Sequence, residues 1–292
     1  MNVCRLLAAG MLLCAALPGR AACPVDAAAQ APLQQASRQG FAWAAVKQPD
    51  VLVDTLVACL DDPDPALRDG VAYTALSQWM RTQAPDATAL RRVRDALYGR
   101  LAAPEADGFG KPFAALVLAE VARADRIRPW MTVGERARMV ERAAGFLEGV
   151  RDYRGFVDGE GWRHGVAHGA DWLMQLALNP ALDSAQLQRI VAAVDRQLMP
   201  DHAYVFDEPA RLARPLLIAA RRGARPEAEW TAWFRALPAR LGDPAVAWND
   251  EAWLARRHDL RALLLEVQSQ VAGDPQALAP VAPGVAIALK GL

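Results

Sequence analysis

The sequence predicts an all-α protein of about ten to twelve helices. Of its 292 residues, 53% are hydrophobic, and alanine and leucine outweigh the β-branched residues throughout. This balance favours helices over strands. Start and stop signals of helices follow one another with short connections, which is typical of helices packed as consecutive antiparallel pairs. No long linker interrupts residues 22–292, so we expect a single all-helical domain with a HEAT-like array.

The first predicted helices are bounded by acidic and proline residues. An apolar run over 50–60 stops at the sequence DDP, and a third helix is predicted over 86–101. Between them, Asp64 can cap a helix that begins at Pro65. Apolar residues at helical spacing predict the buried face of that second helix: Leu67, Val71, Ala75, Trp79 and Met80.

The next helices are marked by different signals. The Lys111-Pro112 pair begins a strongly apolar segment that continues to Ala122. Thr132 and Glu135 have the spacing of a capping box, which predicts a helix from there to about residue 150.

In the second half, Asp207 can cap a helix that Gly223 ends and that Pro215 must kink or divide. Periodic apolar residues and stop signals predict helices over 162–178, 184–198, 208–222, 226–237 and 251–271, and a last one, interrupted by prolines, over 276–289.

One phrase has the character of a helical repeat. Residues 62–76, DPDPALRDGVAYTAL, resemble the inter-helix turn and second helix of a HEAT-type repeat. In such repeats an aspartate and an arginine tie neighbouring turns together, and Asp64 and Arg68 are the expected pair. The phrase does not recur at a fixed period, so the resemblance covers one repeat.

Residues 1–21 have the three-part pattern of an export signal. Arg5 supplies the positive end, a short apolar run follows, and small residues precede a cut near Ala22. The pattern predicts a periplasmic or secreted mature protein. Arg20 stands where a lipobox normally has leucine, so a lipoprotein anchored through Cys23 is the less favoured alternative.

Charge and hydropathy exclude two kinds of partner. The signal contains two of the 33 basic residues and none of the 33 acidic ones, which leaves 31 basic residues and a net charge of −2. Such a chain has no positive excess to attract nucleic acid or anionic membranes. No later run reaches the roughly eighteen consecutive apolar residues of a transmembrane helix.

Two cysteines remain after the signal is removed. Cys4 and Cys14 leave with it, whereas Cys23 and Cys59 stay in the mature chain. In an oxidising compartment this pair predicts a disulfide. The alternative is two unpaired thiols, one of them buried on the helix that ends at Leu60.

The stretch most typical of a functional site is 151–175, RDYRGFVDGEGWRHGVAHGADWLMQ. It gathers two of the four histidines with several acids, arginines, tryptophans and glycines. If 162–178 is a helix, one face is apolar and the opposite face carries four polar side chains. These polar residues are His164, His168, Asp171 and Gln175.

The histidines of this stretch suggest a metal. His164 and His168 are spaced to share a divalent ion such as zinc, with Asp171 as a further ligand or as the acceptor that fixes a tautomer. His202 can complete the set from a separate loop. Gly165 stands where the H-E-x-x-H signature needs glutamate. The alternative is structural: the same polar groups hydrogen-bond the preceding loop to the next helix pair.

Other residues of the stretch are candidates for catalysis or binding. Asp158 and Glu160 lie in a glycine-flanked loop beside Trp162, an arrangement that suits glycoside chemistry but also an ordinary turn. With Asp171 they are the candidate catalytic acids. The candidate ligand-binding residues are Arg151, Tyr153, Arg154, Trp162, Arg163 and Gln175. No G-x-S-x-G elbow or phosphate-binding glycine loop is present.

Four phrases together resemble an uncharacterised bacterial family, domain of unknown function 2785. They are CLDDPDPALRDGVAYTAL, GFGKPFAALVLAEVARADR, RDYRGFVDGEGWRHGVAHGADWLMQLALNP and EPARLARP. The resemblance covers nearly all of the mature chain. It implies an all-helical exported or cell-associated protein, and no activity that can be assigned to any residue.

Two functions from different classes follow. We expect a periplasmic binding or interaction module with a polar pocket centred on 151–175, whose partner is an unknown protein, peptide or small molecule. The alternative is a metal-assisted hydrolase that uses His164 and His168. An enzyme needs a closed pocket with a converging third ligand, whereas a binding module can use an open groove.

Overall fold

The computed structural model of the protein describes residues 23–24, 26–105 and 107–292. The predicted signal segment lies outside them. Apart from a hairpin of two short antiparallel strands, β1 (Phe156–Val157) and β2 (Gly161–Trp162), the regular structure of this part is helical. The helices are α1 (Ala27–Arg38), α2 (Pro49–Ala58), α3 (Pro65–Leu67), α4 (Thr74–Thr82), α5 (Ala87–Ala102), α6 (Gly110–Ile127), α7 (Val133–Gly149), α8 (Gly165–Ala177), α9 (Ser184–Asp195), α10 (Glu208–Arg221), α11 (Glu227–Ala236), α12 (Glu251–Gly273) and α13 (Ala282–Lys290).

The all-α prediction is confirmed. A π-helical segment, Arg68–Tyr73, joins α3 to α4, so that the described residues contain twelve α-helices when these two are counted as one. The five apolar residues predicted for the buried face of this helix are all buried.

Several helices start where the sequence predicts a cap. The carboxylate of Asp64 accepts a hydrogen bond from the Ala66 amide at 2.8 Å, and that of Asp86 accepts one from Ala89 at 2.9 Å. Thr132 and Glu135 form the reciprocal capping box of α7, with distances of 3.2 and 2.8 Å. Each cap satisfies amide groups that the first helical turn leaves without a partner.

One predicted helix start and one predicted cap were wrong. α8 begins at Gly165 and not at residue 162, because Gly161 and Trp162 pair with β1 and His164 adopts a left-handed conformation with φ of 55°. Asp207 does not cap α10 through its side chain, since it too is left-handed, with φ of 70°. Glu208 instead accepts a hydrogen bond from the Phe206 amide at 2.9 Å.

Pro215 does not divide α10. The helix runs without a break from Glu208 to Arg221 and contains the buried proline. A proline removes one backbone hydrogen bond, and packing on both neighbouring helices outweighs that loss here. Gly223, with φ of 68°, follows the helix end as predicted.

Successive helices alternate between two layers. α4, α6, α8, α10 and α12 lie side by side in one layer, and the contact between α6 and α8 is the most extensive. α5, α7 and α9 pack against this layer, while α13 joins α11 to α12 at the carboxyl end. One continuous hydrophobic core runs through both layers. This alternation is that of a helical-repeat array.

The predicted pairing of Asp64 with Arg68 is wrong in its detail. The buried Arg68 guanidinium forms an ion pair with Asp69 at 2.7 Å. It also donates to the carbonyl oxygens of Asp62, at 2.9 Å, and of Glu160 in the hairpin, at 2.8 Å. Arg68 therefore ties the first helices to the hairpin, and Asp64 acts as a cap.

Cys23 and Cys59 form the predicted disulfide. The bridge joins the segment before α1 to the end of α2 across a sequence separation of 36 residues. Closing a loop of that length stabilises a fold by about 3 to 4 kcal/mol in the chain-entropy model. Among the described helices, none is both long and apolar enough to cross a membrane.

Candidate binding cleft

An open cleft of about 280 Å³ lies between the end of α5, the start of α6 and the end of α7. The loop at the beginning of the 151–175 stretch closes one side of this cleft. Its apolar surface comes from Leu101, Pro112, Phe146 and Val150. Its polar and charged lining comes from Glu105, Lys111, Arg151 and Asp152, and four glycines complete it: Gly108, Gly145, Gly149 and Gly165. The cleft is thus an apolar surface with a charged rim.

Two glycines of α7 form a smooth wall of this cleft. Gly145 and Gly149 are exposed and lie one helical turn apart. A Cβ atom placed on either would meet no atom of another described segment within 4 Å. Inside a helix, glycine lowers stability by about 0.5 to 1 kcal/mol relative to alanine. Packing therefore does not explain glycine at Gly145, whereas at Gly169 in α8 a Cβ would lie 3.1 Å from Leu147.

The acidic groups of the rim already accept hydrogen bonds from the protein. Glu105 Oε1 accepts a hydrogen bond from the backbone amide of Lys111 at 3.0 Å and so satisfies the start of α6. The Asp152 carboxylate accepts from Arg154 Nε at 2.8 Å. Burial raises the pKa of Asp152, but the hydrogen bonds from Arg154 outweigh it and hold that pKa below its ordinary value. Asp152 is therefore an ionised carboxylate paired to its neighbour.

The two basic groups of the rim differ in how many contacts they make within the protein. Arg151 donates through Nη1 to the carbonyl oxygens of Glu148, at 2.8 Å, and Val150, at 2.6 Å. The side chain of Lys111 has no hydrogen bond or ion pair within the part of the chain that the structure describes. It is half-buried, whereas the other two lysines of the chain, Lys47 and Lys290, are exposed.

A smaller cavity of about 170 Å³ adjoins the cleft. Glu105 and Lys111 line both spaces. The smaller one is otherwise bounded by the ion pair of Asp61 with Arg100 and by Phe109. Lys111 thus stands on the partition between two spaces open to small molecules.

The polar residues predicted on one face of α8 are largely buried. His164, His168 and Asp171 are 7%, 7% and 8% exposed, so this face packs against neighbouring helices and does not line an open pocket. His168 Nδ1 lies 3.2 Å from the Pro112 carbonyl oxygen, which only accepts, so this nitrogen carries the proton. Burial, followed by the proximity of His164, lowers the pKa of His168 from 6.5 to about 3.

Acid–base pairs join the rest of this face to α10. His164 Nε2 lies 3.3 Å from Glu208 Oε1. Asp171 forms an ion pair with Arg211 at 2.5 Å, and a second arginine, Arg214, lies 3.9 Å away. Burial raises the pKa of Asp171 above its ordinary value although both guanidinium groups act in the opposite direction. We name these groups, His164, His168, Asp171, Glu208 and Arg211, the α8 polar cluster.

The predicted metal ligands do not form a set. The rings of His164 and His168 are neighbours, with centroids 5.8 Å apart. His202 stacks on Tyr153 instead, at 5.2 Å between centroids. Within the described residues, no group of three or more histidine, cysteine, aspartate or glutamate side chains is arranged to hold a metal ion. The predicted three-histidine site is therefore not the arrangement observed.

The hairpin holds most of the remaining candidates. Asp158 and Glu160 are exposed at its turn, and Glu160 pairs with Arg163 at 2.7 Å. Arg163 is buried and donates to the Asp107 carbonyl oxygen at 2.7 Å. Trp162 covers the imidazole of His164, with centroids 4.8 Å apart. These acids do not line the cleft, so their arrangement favours a turn over a catalytic pair.

The predicted pocket centred on 151–175 is thus divided among three places. Arg151 reaches the cleft, Trp162 and Arg163 belong to the hairpin, and Gln175 lies on the α8 surface, 3.3 Å from Arg126 Nε. On the loop between α7 and the hairpin, the ring of Tyr153 stacks on His202 and Arg154 pairs with Asp152. These residues are close together in the sequence, but they lie in different parts of the fold.

Sequence reasoning missed the most informative cleft residues. Lys111 was noted only as part of a helix start, although it is one of three lysines among 33 basic residues. Gly145 and Gly149 interrupt an otherwise helix-favouring segment, a signal that was available. Phe146 and Glu105 carry no such signal, since their role depends on which helices meet.

Comparison with curated proteins and with solved structures gives no match for this chain. A family model does match, over residues 97–267, which is more than half of the chain and includes every residue that lines the cleft. Its description is Protein of unknown function (DUF2785). The chain belongs to this family.

Proposed function

We propose that the protein is an exported binding module that takes a small ligand with an apolar part into the cleft between α5, α6 and α7. The observation that carries this proposal is the cleft itself, an apolar surface of four side chains bordered by charged groups. Small-molecule sites have this composition, with an apolar lining and a few polar groups that fix orientation. The volume of about 280 Å³ is near the lower end for such sites, and it suits a molecule of amino-acid to short-peptide size.

The wall formed by Gly145 supports the same proposal. This glycine destabilises α7, and no contact within the described chain requires it. The absence of a side chain keeps the cleft open and lets a ligand approach the helix backbone. A residue that lowers stability without a packing reason is expected at a functional site.

Export is the second component of the proposal. It is supported by the signal pattern of residues 1–21 and by the disulfide, which is a feature of proteins in oxidising compartments. Cell fractionation with intact-mass measurement tests it, and a retained Met1 in the cytoplasmic fraction would contradict it.

Binding is tested by methyl NMR of the mature protein titrated with 1-octanol, octanoate and octylamine, with Leu101 and Val150 as reporters. We expect saturable shifts of these methyl signals with at least one of the three probes. Gly145→Leu fills the cleft and should abolish the shifts. Gly134→Leu, an exposed glycine near the start of the same helix, is the matched control and should leave them intact. No saturable shift with any probe, or equal shifts in both variants, would refute the proposal.

A further inference from the structure

We infer that the cleft selects an aliphatic carboxylate, with the ammonium group of Lys111 as the counter-ion of its head group. This inference rests on the proposed function and names the class of ligand. It begins from the charges that remain available in the cleft once the contacts within the protein are assigned.

The two acids of the cleft are less available to a ligand than Lys111, because each already accepts a hydrogen bond from the protein. Asp152 is held by Arg154, and one oxygen of Glu105 binds the amide of Lys111. Glu105 Oε1 also lies against the start of α6, within 3.1 Å of a Cβ placed on Gly110. A cationic ligand would therefore have to compete with contacts that already hold these carboxylates.

The side chain of Lys111, in contrast, remains available to a ligand. Lys111 is half-buried, lines both cavities, and its side chain has no hydrogen bond or ion pair within the described residues. Arg151 stands on the same rim, but its guanidinium donates to two carbonyl oxygens and also interacts with the Tyr153 side chain. Of the two basic side chains that line the cleft, Lys111 is therefore the one without a partner in the described residues.

The place of Lys111 in α6 gives independent support. It is the second residue of that helix, whose first turn contains no acidic residue. The amino end of a helix carries a partial positive charge, so a cation there is unfavourable for the helix. Helix stability does not explain this lysine, whereas its ammonium would attract an incoming anion; the amide of Lys111 at the helix end is already bound by Glu105.

An anionic head at Lys111 directs the rest of the ligand. Pro112 follows Lys111 directly, and Leu101, Phe146 and Val150 complete the apolar surface. A molecule with a carboxylate at one end and an alkyl chain at the other satisfies both parts of the cleft. A free inorganic anion would leave the apolar surface open to water, and a neutral alcohol would leave Lys111 without a counter-ion.

The binding test compares octanoate, 1-octanol, octylamine, octyl phosphate and inorganic phosphate by the methyl NMR titration. A charge-assisted hydrogen bond to the head group makes us expect octanoate to bind about tenfold more tightly than octanol or octylamine. In Lys111→Gln this preference should fall to about twofold or less, while octanol binding is unchanged. Lys47→Gln is the matched control and should retain the full preference.

Lysine acetylation supplies a direct readout of the contact. Octanoate should protect Lys111 from acetylation, measured by mass spectrometry, while Lys47 and Lys290 in the same molecule serve as internal controls. Octanol should protect none of the three. Unchanged acetylation of Lys111 at saturating octanoate would overturn the inference.

The outcomes separate this inference from the proposed function. Equal binding of the three octyl probes would leave the binding module standing and overturn the choice of an anion. Octyl phosphate binding as tightly as octanoate, or inorganic phosphate displacing octanoate, would overturn the choice of a carboxylate. No binding of any probe would refute both.

Discussion

The α8 polar cluster and the cleft are neighbours that use polar side chains in opposite ways. In the cluster, Asp171 faces Arg211, His164 faces Glu208, and His168 faces a backbone carbonyl. In the cleft, Lys111 has no such partner in the described chain. The cluster is the more conspicuous in the sequence, yet its groups are already engaged by the fold. A concentration of polar residues therefore points to a ligand only where the fold leaves a charge or an apolar surface without a partner.

The reason for the difference is burial. An ionised group removed from water must be paired, because its loss of hydration costs several kcal/mol. The cluster lies between α8 and α10, where water has little access, so each group needs a protein partner. The rim of the cleft is open to solvent, which can hydrate Lys111 until a ligand replaces the water.

The largest expected effect is that of removing Arg211. Arg211→Ala leaves the buried Asp171 carboxylate with only the more distant Arg214, and we expect the free energy of unfolding to fall by about 2 to 4 kcal/mol. Urea denaturation measures it. Arg235→Ala, at an exposed position of α11, should change stability by less than about 0.5 kcal/mol. Equal effects of the two substitutions would show that the cluster does not depend on pairing.

Replacement of His168 should have a smaller effect that depends on pH. His168→Ala removes the hydrogen bond to the Pro112 carbonyl, and we expect a loss of about 1 to 3 kcal/mol at pH 7. The pKa of His168 is about 3 in the folded state and 6.5 for an unperturbed histidine. Between these values the unfolded chain binds more protons, so stability should decrease as pH falls from 6.5, by up to about 1.4 kcal/mol per pH unit.

His168→Asn separates the two contributions. Asparagine keeps a hydrogen-bond donor but does not titrate, so this variant should lose less stability than wild type between pH 6.5 and 4.5. Asp259 is an internal contrast, because burial raises its pKa to about 7 and makes its contribution decrease as pH rises. Identical pH profiles for wild type and His168→Asn would contradict a buried neutral histidine.

Two helical glycines allow the cleft and the cluster to be compared by the same substitution. Gly145→Ala should stabilise the protein by about 0.5 to 1 kcal/mol, because its Cβ enters open space in the cleft. In α8, the Cβ of Gly169→Ala would lie 3.1 Å from Leu147 and 3.2 Å from Phe146. This crowding should make Gly169→Ala less stable than Gly145→Ala by about 1 kcal/mol in thermal or urea unfolding. The reverse order would show that Gly145, and not Gly169, lies against a neighbouring segment.

The fold and the site differ in how far the sequence predicted them. Helix starts such as Asp86 and Thr132 are local events, since a side chain caps amides within its own first turn, and they were predicted correctly. The start of α8 was missed because pairing of Trp162 with Phe156 overrides the helical periodicity. The cleft requires three separate helices to meet, and no pattern along one segment specifies that.

The predicted site depended on the same kind of local reasoning. Periodicity correctly placed His164, His168 and Asp171 close together but gave no information on what covers them. Glu208 and Arg211 come from α10, about forty residues later, and they complete pairs that the sequence presented as free groups. Spacing within a helix predicts which residues are neighbours, whereas burial depends on long-range packing.

The smallest expected effect concerns the stability contribution of Lys111. Because its charge lies at the positive end of α6, Lys111→Gln should raise the free energy of unfolding by about 0.3 to 0.5 kcal/mol. Lys290 is the last residue of α13, where a cation is favourable, so Lys290→Gln should lower it by a similar amount. Both differences should shrink in 1 M salt, which screens exposed charges beyond about 3 Å. Urea denaturation at low and high salt measures the pair. If Lys111→Gln gains stability and loses the preference for octanoate, this lysine is retained for binding. If Lys111→Gln is destabilised, the lysine belongs to the scaffold.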